Sequence, residues 1–481
     1  MFSFKKANNI LLITQLFSIV SFAVLYSTLV LFMTQALGFS VAKASAIMGV
    51  FVAFNYGLNL LGGYIGGRLV SYRVLFLVSM VLQVLACIFL SSSSVEYLYI
   101  ALALFLTGCG LNVPCINMML TQQFEDDHKK RETAFFWNYA SMNIGCLLGF
   151  TIAGIFQSNH SYNILFLLTT ITNIIAFILL SIGWKSVADK STPLVHKLNT
   201  IGSHILFRKN ALAMSILAVI FFIVFIALQY PLDTNYIALG VGVLLLAMFY
   251  PIAKTQPSKV QRDKVYAYMI LATFGLVFWS AYQLAPMALT IFAEANVDKH
   301  ILDFTIQTQW FQNVNTIVLA IGGFLLPTIL ITIRKRFIFS FPMQFCFSLF
   351  FTGIGFSMLI IGIMKAGHDG HTAAIWLILS YFFQSIGELL IGPTGYAMVG
   401  KLASPNLQGL MMGSWMVVTG STSGVIASLL STLVSSPDVN APATSTNPSY
   451  LALFGSLTAI ALIAAIIMYL FIPRIRKLAY I

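Results

Sequence analysis

The chain has 481 residues, of which 59% are hydrophobic and only 8% charged, and its mean hydropathy is +0.91. A soluble domain carries about a quarter charged residues, so this composition excludes a soluble protein and indicates a surface in contact with a lipid bilayer. The formal net charge of +12 does not indicate a nucleic-acid partner, because the basic residues are spread over short loops between apolar segments.

Fourteen apolar segments reach the length of about 20 residues that a helix needs to cross the hydrocarbon core. The first six predicted spans are 10–34, 43–67, 72–92, 96–121, 134–157 and 162–184. Two more, 210–229 and 235–253, lie between basic stretches, and the last six are 265–290, 309–333, 338–364, 373–400, 408–435 and 449–473. We therefore expect an N-terminal six-helix bundle (1–185), linkers flanking two extra helices (186–264) and a C-terminal six-helix bundle (265–481).

The basic residues predict the orientation of these spans, because cytoplasmic loops are enriched in Lys and Arg. If the N-terminus is cytoplasmic, only Lys43, Lys299 and Lys365 of the 26 basic residues face outward. An even number of spans also returns the basic C-terminal tail to the cytoplasm. We expect a multi-pass protein of the cell membrane, the inner membrane of a bacterium, with both termini cytoplasmic.

An all-α membrane protein with two bundles of six helices has the arrangement of the major facilitator fold. In that fold the substrate cavity lies near the bilayer midplane between the halves, and movement of the halves alternates access to it. No catalytic set, metal-ligand cluster or nucleotide-binding loop is visible, so we expect no enzyme activity, no metal and no cofactor. Transport would then be driven by a gradient or be passive.

Glu388 is the single acid or base predicted deep inside a span. A charged side chain at the bilayer centre costs about 2.5–3.5 kcal/mol on insertion scales, so its presence indicates a function. The alternative is a protonated carboxyl group that hydrogen-bonds a neighbouring helix. Amides are more numerous in the spans, and each one alone could serve only as a contact between helices.

Several segments resemble the proton-dependent oligopeptide transporters of the major facilitator superfamily. The run 136–145 (FWNYASMNIG) is similar to the family signature FYxxINxG, and 310–315 (WFQNVN) resembles the WFQSLN of the eighth helix. The longest match is 387–415 (GELLIGPTGYAMVGKLASPNLQGLMMGSW), which resembles the tenth and eleventh helices. This resemblance implies that Glu388 binds the amino group of a peptide and that Tyr56 and Asn143 occupy family positions.

The first helix departs from the family motif ExxERFxYYG, whose acids and arginine serve proton coupling and substrate carboxylate binding. The aligned stretch here is QLFSIVSFAV, with Gln15 and Ser18 at the glutamates and Ile19 at the arginine. In the fourth helix the family lysine falls on Val113, and in the seventh Gln283 stands where an acid is usual. We expect the fold and alternating access to persist while proton coupling and substrate preference are altered.

These observations predict a secondary transporter of di- or tripeptides or a related small solute, working as a monomer, with protons as the candidate coupling ion. The candidate substrate-binding residues are Glu388, Tyr56, Asn143, Asn315, Trp279, Gln283, Gln312, Phe22, Tyr26, Gln15, Trp415 and Gln384. Glu388 is also the candidate for proton coupling. The alternative is a membrane receptor or scaffold that descends from a peptide transporter and no longer transports.

Overall fold

The computed structural model describes residues 6–124, 128–201, 205–301, 303–334, 340–434 and 441–480. The helices of the first half are α1 (Lys6–Leu31), α2 (Val41–Ile65), α3 (Tyr72–Ser91), α4 (Val95–Gln123), α5 (His128–Ser158), α6 (Tyr162–Ile182), α7 (Pro193–Ile201) and α8 (Ile205–Gln229). Those of the second half are α9 (Pro231–Lys254), α10 (Lys259–Tyr282), α11 (Thr290–Ala295), α12 (Trp310–Arg334), α13 (Phe341–Met364), α14 (Ala374–Leu402), α15 (Gln408–Met416), α16 (Ser423–Leu433) and α17 (Ala443–Ala479). Short π-helical turns occupy Phe32–Ala36, Ala285–Leu289 and Val417–Thr422.

Helices lie at all fourteen predicted spans. Thirteen helical runs of the described residues are long and apolar enough to cross a membrane, and α12 covers the remaining predicted span. Large apolar side chains point outward from them, as Phe222 (60% exposed) and Leu244 (69% exposed) do on the two extra helices. Such exposure is expected where lipid replaces water as the solvent. Of the basic residues, Lys5, Lys335 and Arg336 lie outside the described residues.

Contacts divide the chain into two compact units. Unit 1 consists of Met1–Gly38 and Phe54–Pro231, and unit 2 of Phe39–Ala53 and Leu232–Ile481. The helix α2 therefore contributes its first half to unit 2 and its second half to unit 1. The two extra helices are also divided, since α8 belongs to unit 1 and α9 to unit 2. The boundaries expected at residues 185 and 265 remain a prediction.

A buried hydrogen-bond network holds four helices of unit 1 together. Ser21 Oγ of α1 lies 3.0 Å from Asn173 Oδ1 of α6 and 3.2 Å from Gln83 Oε1 of α3. Gln83 Nε2 donates to Ser79 Oγ at 3.1 Å, and Ser79 Oγ donates to the Gly108 carbonyl of α4 at 2.8 Å. These polar groups are buried and cannot hydrogen-bond to water, so each depends on a partner within the protein.

In unit 2 a break separates α10 from α11. Pro286 lacks a backbone N–H, and Met287 has the non-helical angles φ −122° and ψ −108°. Thr290 Oγ1 donates to the Ala285 carbonyl at 2.7 Å and accepts from Gln312 Nε2 of α12 at 3.3 Å. Side chains therefore replace part of the backbone hydrogen bonding that is lost at the break.

Short strands and a buried asparagine connect the loops at one end of unit 2. The strand β1 (Val297–Asp298) pairs in parallel with β4 (Thr372–Ala373), and β2 (His300–Ile301) pairs antiparallel with β3 (Phe304–Thr305). Asn296 Nδ2, just before β1, lies 2.9 Å from Asn447 Oδ1, near the start of α17. Lys299 Nζ lies 2.8 Å from Glu294 Oε2 in a partly buried salt bridge of the same region.

One polar residue and one glycine of the extra helix α9 make its closest contacts with unit 2. Asn235 is fully buried, and its Nδ2 donates to the Ala46 carbonyl of α2 at 3.0 Å and to Ser428 Oγ of α16 at 3.3 Å. One face of Gly242 lies against the π-helical turn before α16, where an added Cβ would stand 2.0 Å from Thr422 Oγ1. This approach requires a residue without a side chain, because Thr422 is short and β-branched.

We expect Gly242→Ala to destabilise the protein by about 1–3 kcal/mol, because the added methyl group overpacks the contact between α9 and Thr422. The measurement is thermal unfolding of the purified protein in detergent. Gly240→Ala, two residues earlier on the same helix, is the matched control, because nothing lies within 4 Å of its added Cβ. Alanine there should be neutral or stabilising, since it favours the helix over glycine. Equal melting temperatures for the two variants would contradict the close approach of α9.

Candidate functional site

Glu388 lies in the middle of α14 and is partly buried among groups of unit 2. Its Oε2 accepts a hydrogen bond from Asn315 Nδ2 of α12 at 2.7 Å. The Tyr282 hydroxyl, at the end of α10, also faces the Glu388 side chain and shares its single proton between Glu388 and Asn315 Oδ1. Three helices therefore meet at one carboxyl group whose known donors are neutral.

Asn315 connects these groups. Its Nδ2 lies 3.0 Å from Ser385 Oγ, one turn before Glu388 on α14, and its Oδ1 accepts from the Tyr282 hydroxyl at 3.3 Å. The Ser385 hydroxyl itself donates to the Tyr381 carbonyl at 2.6 Å, which leaves its lone pairs for Asn315. The amide thus fixes the positions of both oxygen-bearing side chains around the carboxyl group.

Aromatic rings adjoin this cluster. Trp279 stacks edge-to-face on Tyr282, with ring centroids 5.2 Å apart and an angle of 77° between the rings. The Trp279 indole Nε1 is buried and has no acceptor among the described residues. A carboxylate beside aromatic rings suits a cationic amine, which gains charge pairing and contact with the π faces.

The other unit 2 candidates lie in different surroundings. Gln312 supports the broken helix through Thr290, and Gln384 Nε2 donates to Ser380 Oγ at 3.0 Å within α14. Gln283 is buried at the end of α10. Trp415 is 2% exposed and packs against two glycines, since an added Cβ on Gly395 would lie 2.2 Å from its ring. Substrate binding by these four residues stays a prediction.

In unit 1 the candidates Phe22 and Tyr26 are neighbours on α1, with ring centroids 5.5 Å apart. Both are partly buried, as is Tyr56 on α2. Asn143 on α5 donates to the Tyr139 carbonyl at 2.8 Å, a bond within its own helix. Gln15 is 2% exposed on α1. Their role in binding is likewise a prediction.

Ile19 is buried between α1 and α5. It is 6% exposed, and its Cγ2 would lie 2.2 Å from a Cβ added to Gly145. The side chain at the position of the family arginine therefore packs against a neighbouring helix. Because the isoleucine side chain has no hydrogen-bond donor, Ile19 cannot bind a substrate carboxylate.

Two members of the Glu388 cluster were missed by sequence reasoning. Tyr282 lies three residues after Trp279, and Ser385 lies three residues before Glu388, so helical spacing could have placed both beside named candidates. The contact of both with Asn315 depends on the packing of α10, α12 and α14, which spacing within one helix does not reveal. Within the described residues no three His, Cys, Asp or Glu side chains form a metal-binding group.

Comparisons with known proteins agree with this architecture. The model of the POT family matches residues 70–447. Dipeptide and tripeptide permease B of Yersinia enterocolitica is 28% identical over 457 residues, which cover 94% of this chain and 90% of the relative. Dipeptide and tripeptide permease A of Proteus mirabilis is 26% identical over 462 residues, which cover 94% and 91%.

Solved structures show the same fold. A crystal structure of a peptide transporter POT in complex with sulfate aligns with a TM-score of 0.86 at 21% identity, over 99% of this chain and 96% of that chain. A POT family transporter in complex with 5-aminolevulinic acid aligns with a TM-score of 0.83 at 21% identity, over 99% and 98%.

The fold is of the major facilitator type, with two six-helix bundles and two extra helices, and the family match shows a multi-pass membrane transporter. It is not an enzyme. Because the family model covers more than half of its length, the chain belongs to the POT family. The predicted fold class and family are confirmed.

We expect Tyr282→Phe to reduce uptake of labelled alanyl-alanine amide by about tenfold or more. This probe carries one amine and no carboxylate, which matches the single carboxyl group of the cluster. The variant keeps the ring on Trp279 and removes only the hydroxyl, and a hydrogen bond to a charged group contributes about 1.5–3 kcal/mol. Uptake into proteoliposomes is compared at equal amounts of folded protein.

Tyr268→Phe is the matched control on the same helix. Its hydroxyl donates to the Met411 carbonyl at 3.0 Å in the core of unit 2, away from the Glu388 cluster. This variant should lower the melting temperature and leave the uptake of correctly folded protein unchanged. If Tyr282→Phe transports as well as the unmodified protein, its hydroxyl has no part in substrate binding.

Proposed function

We propose that this protein moves peptides or peptide-like amines across the membrane by alternating access, with altered proton coupling and with Glu388 as the group that binds the amine. The observation that carries this proposal is the setting of Glu388, a carboxyl group inside a span whose described partners are the neutral Asn315 and Tyr282. An amine that enters this cluster supplies the missing counter-charge. The permease names of the relatives support the peptide class.

The end of the substrate opposite its amine should carry no charge. Ile19 and Val113 stand where the family resemblance implies an arginine and a lysine, and Ile19 packs against α5. Burial of a carboxylate without a cationic partner costs far more free energy than burial of a neutral polar group. We therefore propose discrimination against substrates with a free carboxylate.

Glu388 is also the remaining candidate for proton coupling. Gln15 and Ser18 occupy the positions of the family glutamates in α1, and neither side chain titrates. If protons drive transport, they bind at Glu388, and substrate amine and proton compete for one carboxyl group. Proton coupling would then depend on one carboxyl group, in contrast to a transporter in which several acids bind protons.

We further propose a monomer in the inner membrane of a bacterium with both termini in the cytoplasm. The distribution of Lys and Arg over the loops supports this orientation, and the relatives named above come from bacteria.

Uptake of labelled alanyl-alanine should be at least tenfold slower than uptake of its C-terminal amide, because only the free dipeptide has to bury an unpaired carboxylate. Both are measured in proteoliposomes with and without an inward proton gradient, against protein-free liposomes. If the free dipeptide is taken up as fast as the amide and its uptake rises with the proton gradient, the proposed changes in substrate preference and proton coupling are wrong. No uptake of either compound by folded protein would favour the receptor or scaffold.

Glu388→Gln should reduce uptake of alanyl-alanine amide by more than tenfold and abolish any dependence on the proton gradient, because the amide side chain neither pairs with an amine nor binds a proton. Glu96→Gln is the matched control, since Glu96 is exposed at the start of α4. Unchanged uptake in Glu388→Gln, with the control also unchanged, would remove Glu388 from the mechanism.

A further inference from the structure

The first half of α2 is bound to α16 within unit 2. Ser428 Oγ of α16 donates to the Ser45 carbonyl of α2 at 2.8 Å. Ser421 Oγ, in the π-helical turn before α16, donates to the Ala53 carbonyl of α2 at 2.7 Å. Both hydroxyls are buried, so each depends on a partner within the protein. The two bonds lie about two helical turns apart and therefore fix one face of α2 against α16.

Glycines on both helices allow this close approach. A Cβ added to Gly49 of α2 would stand 2.4 Å from the Ser428 Cβ, and a Cβ added to Gly424 of α16 would stand 2.3 Å from Val52 Cγ1. Lipid provides no hydrophobic driving force between helices, so hydrogen bonds and close packing at small residues hold them together. The contact between α2 and α16 has both of these features.

The extra helix α9 adds an amide to this contact. Asn235 is fully buried, and its Nδ2 donates both to the Ala46 carbonyl of α2 and to Ser428 Oγ of α16. Its Oδ1 is also buried and has no hydrogen-bond partner among the described residues. Burial of an unpaired amide oxygen costs free energy that an apolar side chain would avoid. Stability alone therefore does not explain an asparagine here, whereas the two bonds of its Nδ2 connect three helices.

The second half of α2 is bound to α4 within unit 1. Cys109 Sγ of α4 donates to Asn55 Oδ1 at 3.2 Å, and a Cβ added to Gly62 would stand 2.7 Å from the Gly110 carbonyl oxygen. The helix α2 runs without interruption through the point where the two units divide. A movement that carries α2 along with α4 therefore has to separate the first half of α2 from α9 and α16.

We propose that Asn235 makes the extra helix α9 a latch for alternating access, which holds the first half of α2 against α16 in one conformation and releases it in the other. The latch is defined as the amide of Asn235, the hydroxyl of Ser428 and the carbonyls of Ser45 and Ala46. Such a latch presupposes the alternating access that is proposed above as part of the function. In the orientation proposed there, the first half of α2 lies toward the outer surface, so the latch favours the conformation that is closed on that side.

The latch is separate from the candidate binding site. The described groups that surround Glu388 lie on α10, α12 and α14, and none of them belongs to α2, α9 or α16. Loss of the latch should therefore alter the balance between the two conformations and leave the groups around Glu388 in place.

The test is the distance between two spin labels, measured by double electron–electron resonance on the full-length protein in lipid nanodiscs. The labels are attached at Lys43→Cys in α2 and Leu433→Cys in α16, two exposed positions, after the five native cysteines are replaced by serine. Two populations of distances are expected, and the shorter one corresponds to the closed latch. Asn235→Leu keeps the size of the side chain but removes its donors. It should raise the ratio of the longer to the shorter population about threefold, the effect of one hydrogen bond between membrane helices.

Tyr236→Leu is the matched control, because Tyr236 is the next residue of α9 and is 61% exposed. Its ratio should equal that of the unmodified protein. Ser428→Ala removes the hydroxyl that donates to α2 and should shift the ratio in the same direction as Asn235→Leu, which keeps the test valid if Asn235→Leu does not fold. A merely structural Asn235 would lower the melting temperature and leave the ratio unchanged. That result, or an equal shift in Tyr236→Leu, would overturn the latch.

The same measurement distinguishes a failure of the latch from a failure of the proposed function. Two populations that neither Asn235→Leu nor Ser428→Ala alters would overturn the latch alone. A single distance in the unmodified protein, with and without alanyl-alanine amide, would show that α2 and α16 do not separate, and it would overturn the alternating access together with the latch.

Discussion

The hydrogen bonds around Glu388 illustrate the constraint on which the whole molecule depends, namely that polar groups inside a bilayer must find partners within the protein. A carboxyl group in that medium is tolerated only if donors reach it. Asn315 and Tyr282 do so from two other helices, which fixes how α10, α12 and α14 can pack. The binding chemistry and the packing of unit 2 are therefore set by the same contacts.

The same constraint explains why other polar side chains serve as connections between helices. Ser21, Gln83 and Asn173 join α1, α3 and α6 in unit 1 without exposure to solvent. Gln312 has a similar task in unit 2, where it supports a helix break through Thr290. An amide in a span is thus compatible with a structural or a binding role, and its neighbours distinguish the two.

The sequence was sufficient to predict the positions of the spans, because hydropathy reports directly on contact with lipid. It also singled out Glu388, since an acid in an apolar run stands out without knowledge of the fold. It did not reveal the break at Ala285–Leu289 or the π-helical turn at Val417–Thr422, because both lie against other helices: Gln312 of α12 donates to Thr290 beside the break, and Gly242 of α9 packs closely on Thr422 of the turn.

Residue type alone could not show which aromatic candidates lie beside Glu388. Trp279 and Trp415 both lie in spans of the second half, yet one adjoins the Glu388 cluster and the other fills a gap beside Gly275 and Gly395. The difference comes from which residues pack against each ring, and that depends on the rotation and depth of neighbouring helices. Tyr282 was missed for the same reason, since its contact with Asn315 joins positions 33 residues apart.

The division of the two extra helices between units has a consequence for protein engineering. The helix α8 packs on α4, whereas α9 reaches α2 and α16, and only Tyr230 separates the end of α8 from the start of α9. Deletion of residues 205–254 to obtain a minimal twelve-helix protein would remove a packing partner from each unit and leave Ala46 and Ser428 without the amide of Asn235. A shortened version would need compensating apolar substitutions on both sides of the cut.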